Sequence, residues 1–217
     1  MTDVLTKPIQ IDLVADVVCP YCFLGWGRLK QALGQRPNLQ TEVVWRPFQL
    51  NPDMPAGGLD SKTHMARIIP DPAGVKRAHD ALTQQGKTAG VEFNFDKVLR
   101  EPNTNGAHRV IMWAASVGKQ AEAIEAMFAA HFTDGKFIGA VDVLGDVAAS
   151  IGMDRDVVVA KLTAGDDADA VRTSHRMAAQ AGVTGVPCTI FNNKFALMGA
   201  EMPDRYVMAL DKAAAEG

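Results

Sequence analysis

Residues 9–18 (IQIDLVADVV) alternate apolar and polar positions and are rich in branched side chains. That two-residue period predicts a strand running into Cys19. The period then changes. Phe23, Trp26, Leu29 and Leu33 recur at helical spacing, so residues 20–33 predict a helix with Gly34 as its stop. Pro20 falls in the first turn, where its missing N–H has no intrahelical partner to lose. Residues 40–50 (QTEVVWRPFQL) predict a second strand, bent or ended at Pro47. A strand–helix–strand unit favours neighbouring parallel strands joined by a right-handed crossover.

Residues 51–62 shift to Asn, Pro, Gly, Asp and Ser, which predicts a loop and a boundary. A helical block follows. Asp71 and Pro72 open a helix to about residue 85, and Asn103 caps one carrying Val110, Ile111 and Ala114. Residues 120–132 place Ile124, Met127 and Phe128 on one face. Leu144, Val147, Ala148 and Ile151 mark a further helix, Asp154 starts another, and residues 166–181 form a last one closed by Gly182. The pattern then returns to β. Residues 188–192 and 194–198 are short apolar runs around Asn192 and Asn193, which predicts an antiparallel hairpin. Residues 203–215 predict a terminal helix. The outer parts, β–α–β and β–β–α, resemble a thioredoxin fold of the α/β class with a central mixed sheet. The expected division is a discontinuous domain of residues 1–60 and 180–217, with residues 61–179 as an inserted all-helical subdomain.

Composition narrows the function classes. Hydrophobic residues make up 47% of the 217, enough to fill a sizeable core. With 22 Lys and Arg against 25 Asp and Glu, the net charge is −3, and no basic stripe suggests a nucleic-acid partner. No run approaches the roughly 18 apolar residues of a membrane span. The N-terminus has no apolar leader, so a cytoplasmic location is expected. Three cysteines, Cys19, Cys22 and Cys188, are the wrong number for a disulfide-stapled scaffold.

A close cysteine pair in a reducing compartment is catalytic or metal-binding. Cys19-Pro20-Tyr21-Cys22 stands at a strand-to-helix junction. There the unpaired N–H groups and the helix dipole stabilise an anion, which suits Cys19 to the nucleophile's role. Cys22, one turn further in, suits the resolving role. The alternative is half of a zinc site. A structural zinc normally takes four Cys or His ligands, and no second CxxC or HxxxH is present, so no metal is expected. The second motif is Thr184-Gly185-Val186-Pro187. In a thioredoxin fold this proline is cis, and its loop would present the backbone of Val186 to a peptide or to glutathione.

Four segments, DVVCPYCFLGWGRL, PNTNGAHRVIMWA, MFAAHFTDGKFI and GVTGVPCTIFNNKFALMGAE, resemble the DsbA family. They are most similar to its cytoplasmic FrnE-like branch, which also resembles 2-hydroxychromene-2-carboxylate isomerases and kappa-class glutathione transferases. The resemblance implies dithiol exchange through Cys19 and Cys22 on protein or small-molecule disulfides. Relatives that are isomerases or transferases carry Ser in place of the nucleophile and use glutathione, so the intact pair favours the oxidoreductase. A glutathione-dependent isomerase or transferase is the alternative, and a metal-binding or chaperone-like module a second. No tightly bound cofactor is implied, glutathione is a candidate co-substrate, and either a monomer or a homodimer is compatible.

Pro20 and Tyr21, with Val186 and Pro187, are the expected substrate contacts. The resemblance also places Asn103 and Thr104, with His108 and Arg109, on the insertion side of the cleft. The competing reading is a helix cap at Asn103 and an interhelical pair at Arg109. Trp26, Trp45 and Trp113 read as core, and His108, His131 and His175 as helix-face residues. Cys188 departs from the family pattern and reads as a small buried hydrophobe, with a third redox thiol or a cluster ligand as the alternatives.

Overall fold

The structure, a computed structural model, describes residues 7–216. The leader reading of the N-terminus and the outermost ends of the expected domain, residues 1–6 and 217, lie outside the described residues. Strand β1 (Ile9–Ala15) pairs in parallel with β2 (Thr41–Pro47), from Ile9 opposite Thr41 to Ala15 opposite Pro47. The crossover between them is α1 (Pro20–Gly34). On its other side β1 runs antiparallel to β5 (Cys188–Phe191), which forms a hairpin with β6 (Phe195–Met198). The sheet order is β2-β1-β5-β6. Asn192 and Asn193, at φ 50° and 55°, supply the left-handed turn the hairpin needs.

Both strands of the first unit stop earlier than their apolar runs. β1 ends at Ala15 because Asp16 leaves the ladder: its backbone carbonyl accepts from Cys19 N at 3.1 Å. β2 ends at Pro47, which has no N–H to continue the ladder.

The segment expected as loop carries regular structure. A two-residue strand, Leu59–Asp60, pairs with Arg100–Glu101, and these are β3 and β4. Helix α2 (Ser61–Ile68) starts directly after β3. Asp60 caps it, accepting from Thr63 N at 2.8 Å. α2 buries only His64, so it has no apolar stripe for a periodicity argument to find. Helix α3 (Pro72–Ala89) runs past residue 85 and closes on Gly90 at φ 71°. Helix α4 (Asn105–Ala115) begins two residues after Asn103. Asn103 Oδ1 still accepts from Asn105 N at 3.0 Å, so it caps from one position upstream of the N-cap, Thr104.

Helix α5 (Gln120–Phe128) passes into one wide turn, Ala129–Thr133, where Asp134 N bonds back five residues to Ala129 O at 2.9 Å. Helices α6 (Val141–Ser150), α7 (Arg155–Ala164), α8 (Ala168–Gln180) and α9 (Pro203–Ala215) complete the chain. Among the described residues no helix is long and apolar enough to cross a membrane.

The strand period of two sorts the sheet residues. Ile11, Leu13, Trp45 and Phe191 join one core that continues through α1, α4, α5, α6 and α9. Val14 and Cys188 point to the opposite face and pack with Phe48 and Val183. Phe23 of α1 stacks on Phe128 at 4.9 Å and on Phe132 at 5.8 Å, which fixes the start of α1 against the end of α5.

Candidate active site

The cysteine pair takes its geometry from the strand-to-helix junction. Cys19 is the N-cap of α1, with extended backbone at φ −86° and ψ 114°, and Pro20 opens the first turn. Cys22 N and Phe23 N both donate to Cys19 O, at 2.9 and 3.2 Å. Cys22 is fully buried one turn in, and both thiols are free. Burial, and then the hydrogen bond to Cys19, push the Cys22 thiol well above its ordinary range.

The Val186–Pro187 bond is cis. Cys19 Sγ donates to Val186 O at 3.7 Å, which brings together two segments 167 residues apart. Gly25 makes the approach possible. A Cβ there would stand 3.2 Å from Pro187 Cγ and 3.4 Å from the Tyr206 hydroxyl, so a larger residue would push the loop away.

Beneath the pair lies a buried polar chain. Asp16 Oδ2 accepts from Leu50 N at 2.8 Å, and Oδ1 lies 3.1 Å from His108 Nε2. Trp45 Nε1 donates to His108 Nδ1 at 3.0 Å. An indole N–H can only donate, so Nδ1 accepts and the ring proton sits on Nε2, within 3.1 Å of Asp16 and of Phe48 O. Asp16 and His108 are both fully buried, and each polar atom of the pair has a partner.

A cavity of about 420 Å³ opens beside Cys19. One wall is Cys19, Pro20, Tyr21 and Val186. The other comes from the helical block and includes Met65, Leu82 and Phe132. A second His–carboxylate pair lines it. His131 Nε2 is 3.9 Å from Glu101 Oε2, and Ser61 Oγ donates to Glu101 Oε1 at 2.8 Å. Burial pushes His131 down to about 4 and Glu101 up, so the cavity favours the neutral form of each. Among the described residues, His131 Nδ1 is buried with no hydrogen-bond partner.

Residues 10–211 match the family of DSBA-like thioredoxin domains. The chain belongs to that family. The uncharacterized protein YwbO of Bacillus subtilis is 28% identical to this DSBA-like chain over 186 residues, 85% of this chain and 88% of its own. A solved structure described as a probable DsbA oxidoreductase from Streptomyces coelicolor superposes with a TM-score of 0.86 at 26% identity, covering 96% of this chain and 91% of that one. The cytosolic disulfide reductase DsbM of Pseudomonas aeruginosa, solved with glutathione, shares the fold at a TM-score of 0.60 and 19% identity, over 95% of this chain and 96% of its own.

Of the residues singled out in the sequence of this DSBA-like domain, Cys19, Pro20, Tyr21 and Val186 come together on the cavity wall. Cys22 lies behind Cys19, and Pro187 packs against the Gly25 position. Asn103, Thr104 and Arg109 do not reach the cavity. Asn103 Nδ2 donates to Met54 O at 2.7 Å, and Thr104 Oγ1 meets Gln49 Nε2 at 3.4 Å. Arg109 donates to Lys161 O, Leu162 O and Asp166 O, joining α4 to the last turn of α7 and the residues just past it. That is the interhelical role rather than a ligand-facing one. Trp26 and Trp45 are core, whereas Trp113 is half-buried and donates to Asp167 Oδ2 at 2.7 Å. Cys188 is buried on the far face of the sheet, where burial pushes its thiol up. Among the described residues no cluster of three or more ligand side chains could hold a metal.

Asp16, Glu101 and His131 were not singled out as site residues by sequence, and His108, expected beside the cleft with Arg109, is instead the buried partner of Asp16. Asp16 had a signal: a polar residue on an apolar run, directly before the CxxC. His131 had a weaker one, lying four residues after Met127 and three after Phe128 on what reads as an apolar helix face.

Proposed function

We propose that this chain is a cytoplasmic, FrnE-like thiol–disulfide oxidoreductase that uses Cys19 as nucleophile and Cys22 as resolving thiol. The observation that carries this reading is the asymmetry of the pair. Cys19 stands at the helix N-terminus on the cavity wall, within 3.7 Å of Val186 O, while Cys22 is fully buried behind it and held as a thiol. The Cys19 thiolate attacks one sulfur of a substrate disulfide, forms a mixed disulfide and expels the other sulfur as a thiolate. Cys22 then loses its proton and attacks Cys19 Sγ, which closes the Cys19–Cys22 disulfide and releases the second substrate thiolate. Two electrons pass from the dithiol to the substrate. The proton that Cys22 loses is taken up by the departing substrate thiolate.

Pro20, Tyr21, Val186 and Pro187 form the substrate edge, with the backbone of Val186 available to an extended peptide. Residues 61–179 act as an inserted subdomain that closes the other side. Protein disulfides, small disulfides and glutathione are the substrate classes. The glutathione-bound DsbM relative supports the last, and its description as cytosolic, together with the low cysteine count, supports the location. A Pro-Tyr dipeptide and a reducing compartment favour reductase or isomerase work.

Insulin reduction tests the reading. Cys19→Ser is expected to fall to the uncatalysed rate, and Cys22→Ser to accumulate a mixed disulfide visible by mass spectrometry. Full turnover by Cys19→Ser would sink it. The apolar cavity also suits a glutathione-dependent isomerase. That reading requires glutathione binding and a small-molecule reaction that survives Cys22→Ser.

A further inference from the structure

The cavity beside Cys19 has a composition that restricts what can enter it. Its walls come from the CxxC turn, the Val186 loop and the helical block, and its polar members are few. Among the described lining residues there is no Lys or Arg. The one carboxylate, Glu101, contributes negative charge when ionised. His64, His79 and His131 are the remaining titratable groups besides Cys19 and Tyr21, and burial pushes all three histidines toward their neutral form.

Lys62, Lys76 and Lys97 line an adjoining groove that shares Ser61, Met65 and His79 with the cavity, and Arg67 lines another that shares His64 and Ile68, so these cations stand outside the cavity wall. Lys76 is paired with Asp80 at 2.7 Å, and Lys97 donates to Thr133 O. The rim of the cavity is apolar as well. Tyr21, Leu50 and Ile68 all line it and are 51%, 43% and 58% exposed. Against this background one polar atom stands out, because His131 Nδ1 is buried without a partner. Orphaned buried polar atoms are rare in folded proteins and call for an explanation.

We infer that this cavity binds small, uncharged, apolar disulfides, one polar atom of which meets His131 Nδ1, and that it discriminates against anionic disulfides. The inference rests on the oxidoreductase reading and names its small-molecule substrate class. The volume matches the size range of small-ligand sites. An anionic ligand would bury its carboxylate without a counter-charge, which is unfavourable unless the group is paired. A glutathionyl disulfide must therefore keep its carboxylates outside, at the Val186 edge. The chemistry is the exchange already written: a disulfide R–S–S–R takes two electrons from the Cys19/Cys22 dithiol and leaves as two R–SH.

The test compares two aromatic disulfides that both release an absorbing product. One is the neutral 4,4′-dithiodipyridine and the other the dianionic 5,5′-dithiobis(2-nitrobenzoate). Rates with the reduced protein are followed by stopped flow at neutral pH, and each is divided by the rate of the same reagent with free 2-mercaptoethanol. The neutral reagent is expected to saturate and to have a normalised rate at least about 10-fold above that of the dianion, which corresponds to about 1.4 kcal/mol. Met65→Lys or Ala78→Lys, each placing a cation on the cavity wall, is expected to narrow that ratio by accelerating the dianion. His131→Leu is expected to raise the half-saturating concentration of the neutral reagent and leave the dianion unchanged.

Equal normalised rates without saturation, or a faster dianion, would overturn the inference while insulin reduction by the same preparation keeps the oxidoreductase reading. A preparation inert toward both reagents and toward insulin would overturn the reading beneath it.

Discussion

Two His–carboxylate pairs sit near the dithiol, and they are built to opposite rules. The pair Asp16–His108 is closed. Trp45, Leu50 N and Phe48 O surround it, and every polar atom is used. The pair Glu101–His131 is open. Its members are 3.9 Å apart, beyond a hydrogen bond, and one ring nitrogen faces no partner. The first is a strut that holds the CxxC turn to β2 and α4. The second has capacity to spare beside a cavity, which is where a ligand can use it. Burial alone does not separate them, since His108 and His131 are both at most 1% exposed. What separates them is how many of their hydrogen bonds are already made.

Several variants break or sharpen that contrast. The largest effect is expected from Asp16→Ala. It strands Leu50 N in the interior and leaves His108 Nε2 with Phe48 O alone, and a loss of about 3 kcal/mol in urea unfolding is the scale for buried groups left unmet. His108→Leu strands Asp16 and Trp45 Nε1 and is expected to cost about 2–3 kcal/mol, whereas His131→Leu at pH 7 removes an unmet group and is expected to be near neutral.

The open pair also leaves a pH signature. The unfolded state protonates His131 near 6.5, while the folded state resists until about 4. Its contribution is therefore whole above pH 6.5 and is lost as the pH falls toward 4, by up to about 3 kcal/mol. Glu101, raised by burial, works the other way and returns part of that loss on acidification. Unfolding midpoints at pH 7 and 4.5 check this, and His131→Leu is expected to lose less on acidification than wild type does. A smaller effect than that of either closed-pair variant is expected from Cys188→Ala. Its far-face cluster with Val14, Phe48 and Val183 predicts a loss of about 1 kcal/mol and an unchanged rate of disulfide exchange.

The sequence made the frame legible because the frame depends on period. Alternation in β1, the 3.6-residue recurrence of Phe23, Trp26 and Leu29, and the Asn192-Asn193 turn are local signals. α2 was silent because it buries a single histidine and shows no stripe. The cysteines could be read from their spacing alone. The groups around them could not, because Asp16, Trp45, Glu101, His108 and His131 meet only across the tertiary fold. Arg109 shows the converse. The motif around it looked functional, and the fold gave its guanidinium to three carbonyls at the end of a neighbouring helix.

The wide turn at Ala129–Thr133 can be seen as one residue more than the helix needs. Removing a single alanine there would restore regular pitch. Without the extra residue, His131 and Phe132 would ride on a tighter turn and meet the cavity wall at a different angle, without either being mutated. Chain length at that turn, as much as residue identity, sets the chemistry that faces Cys19.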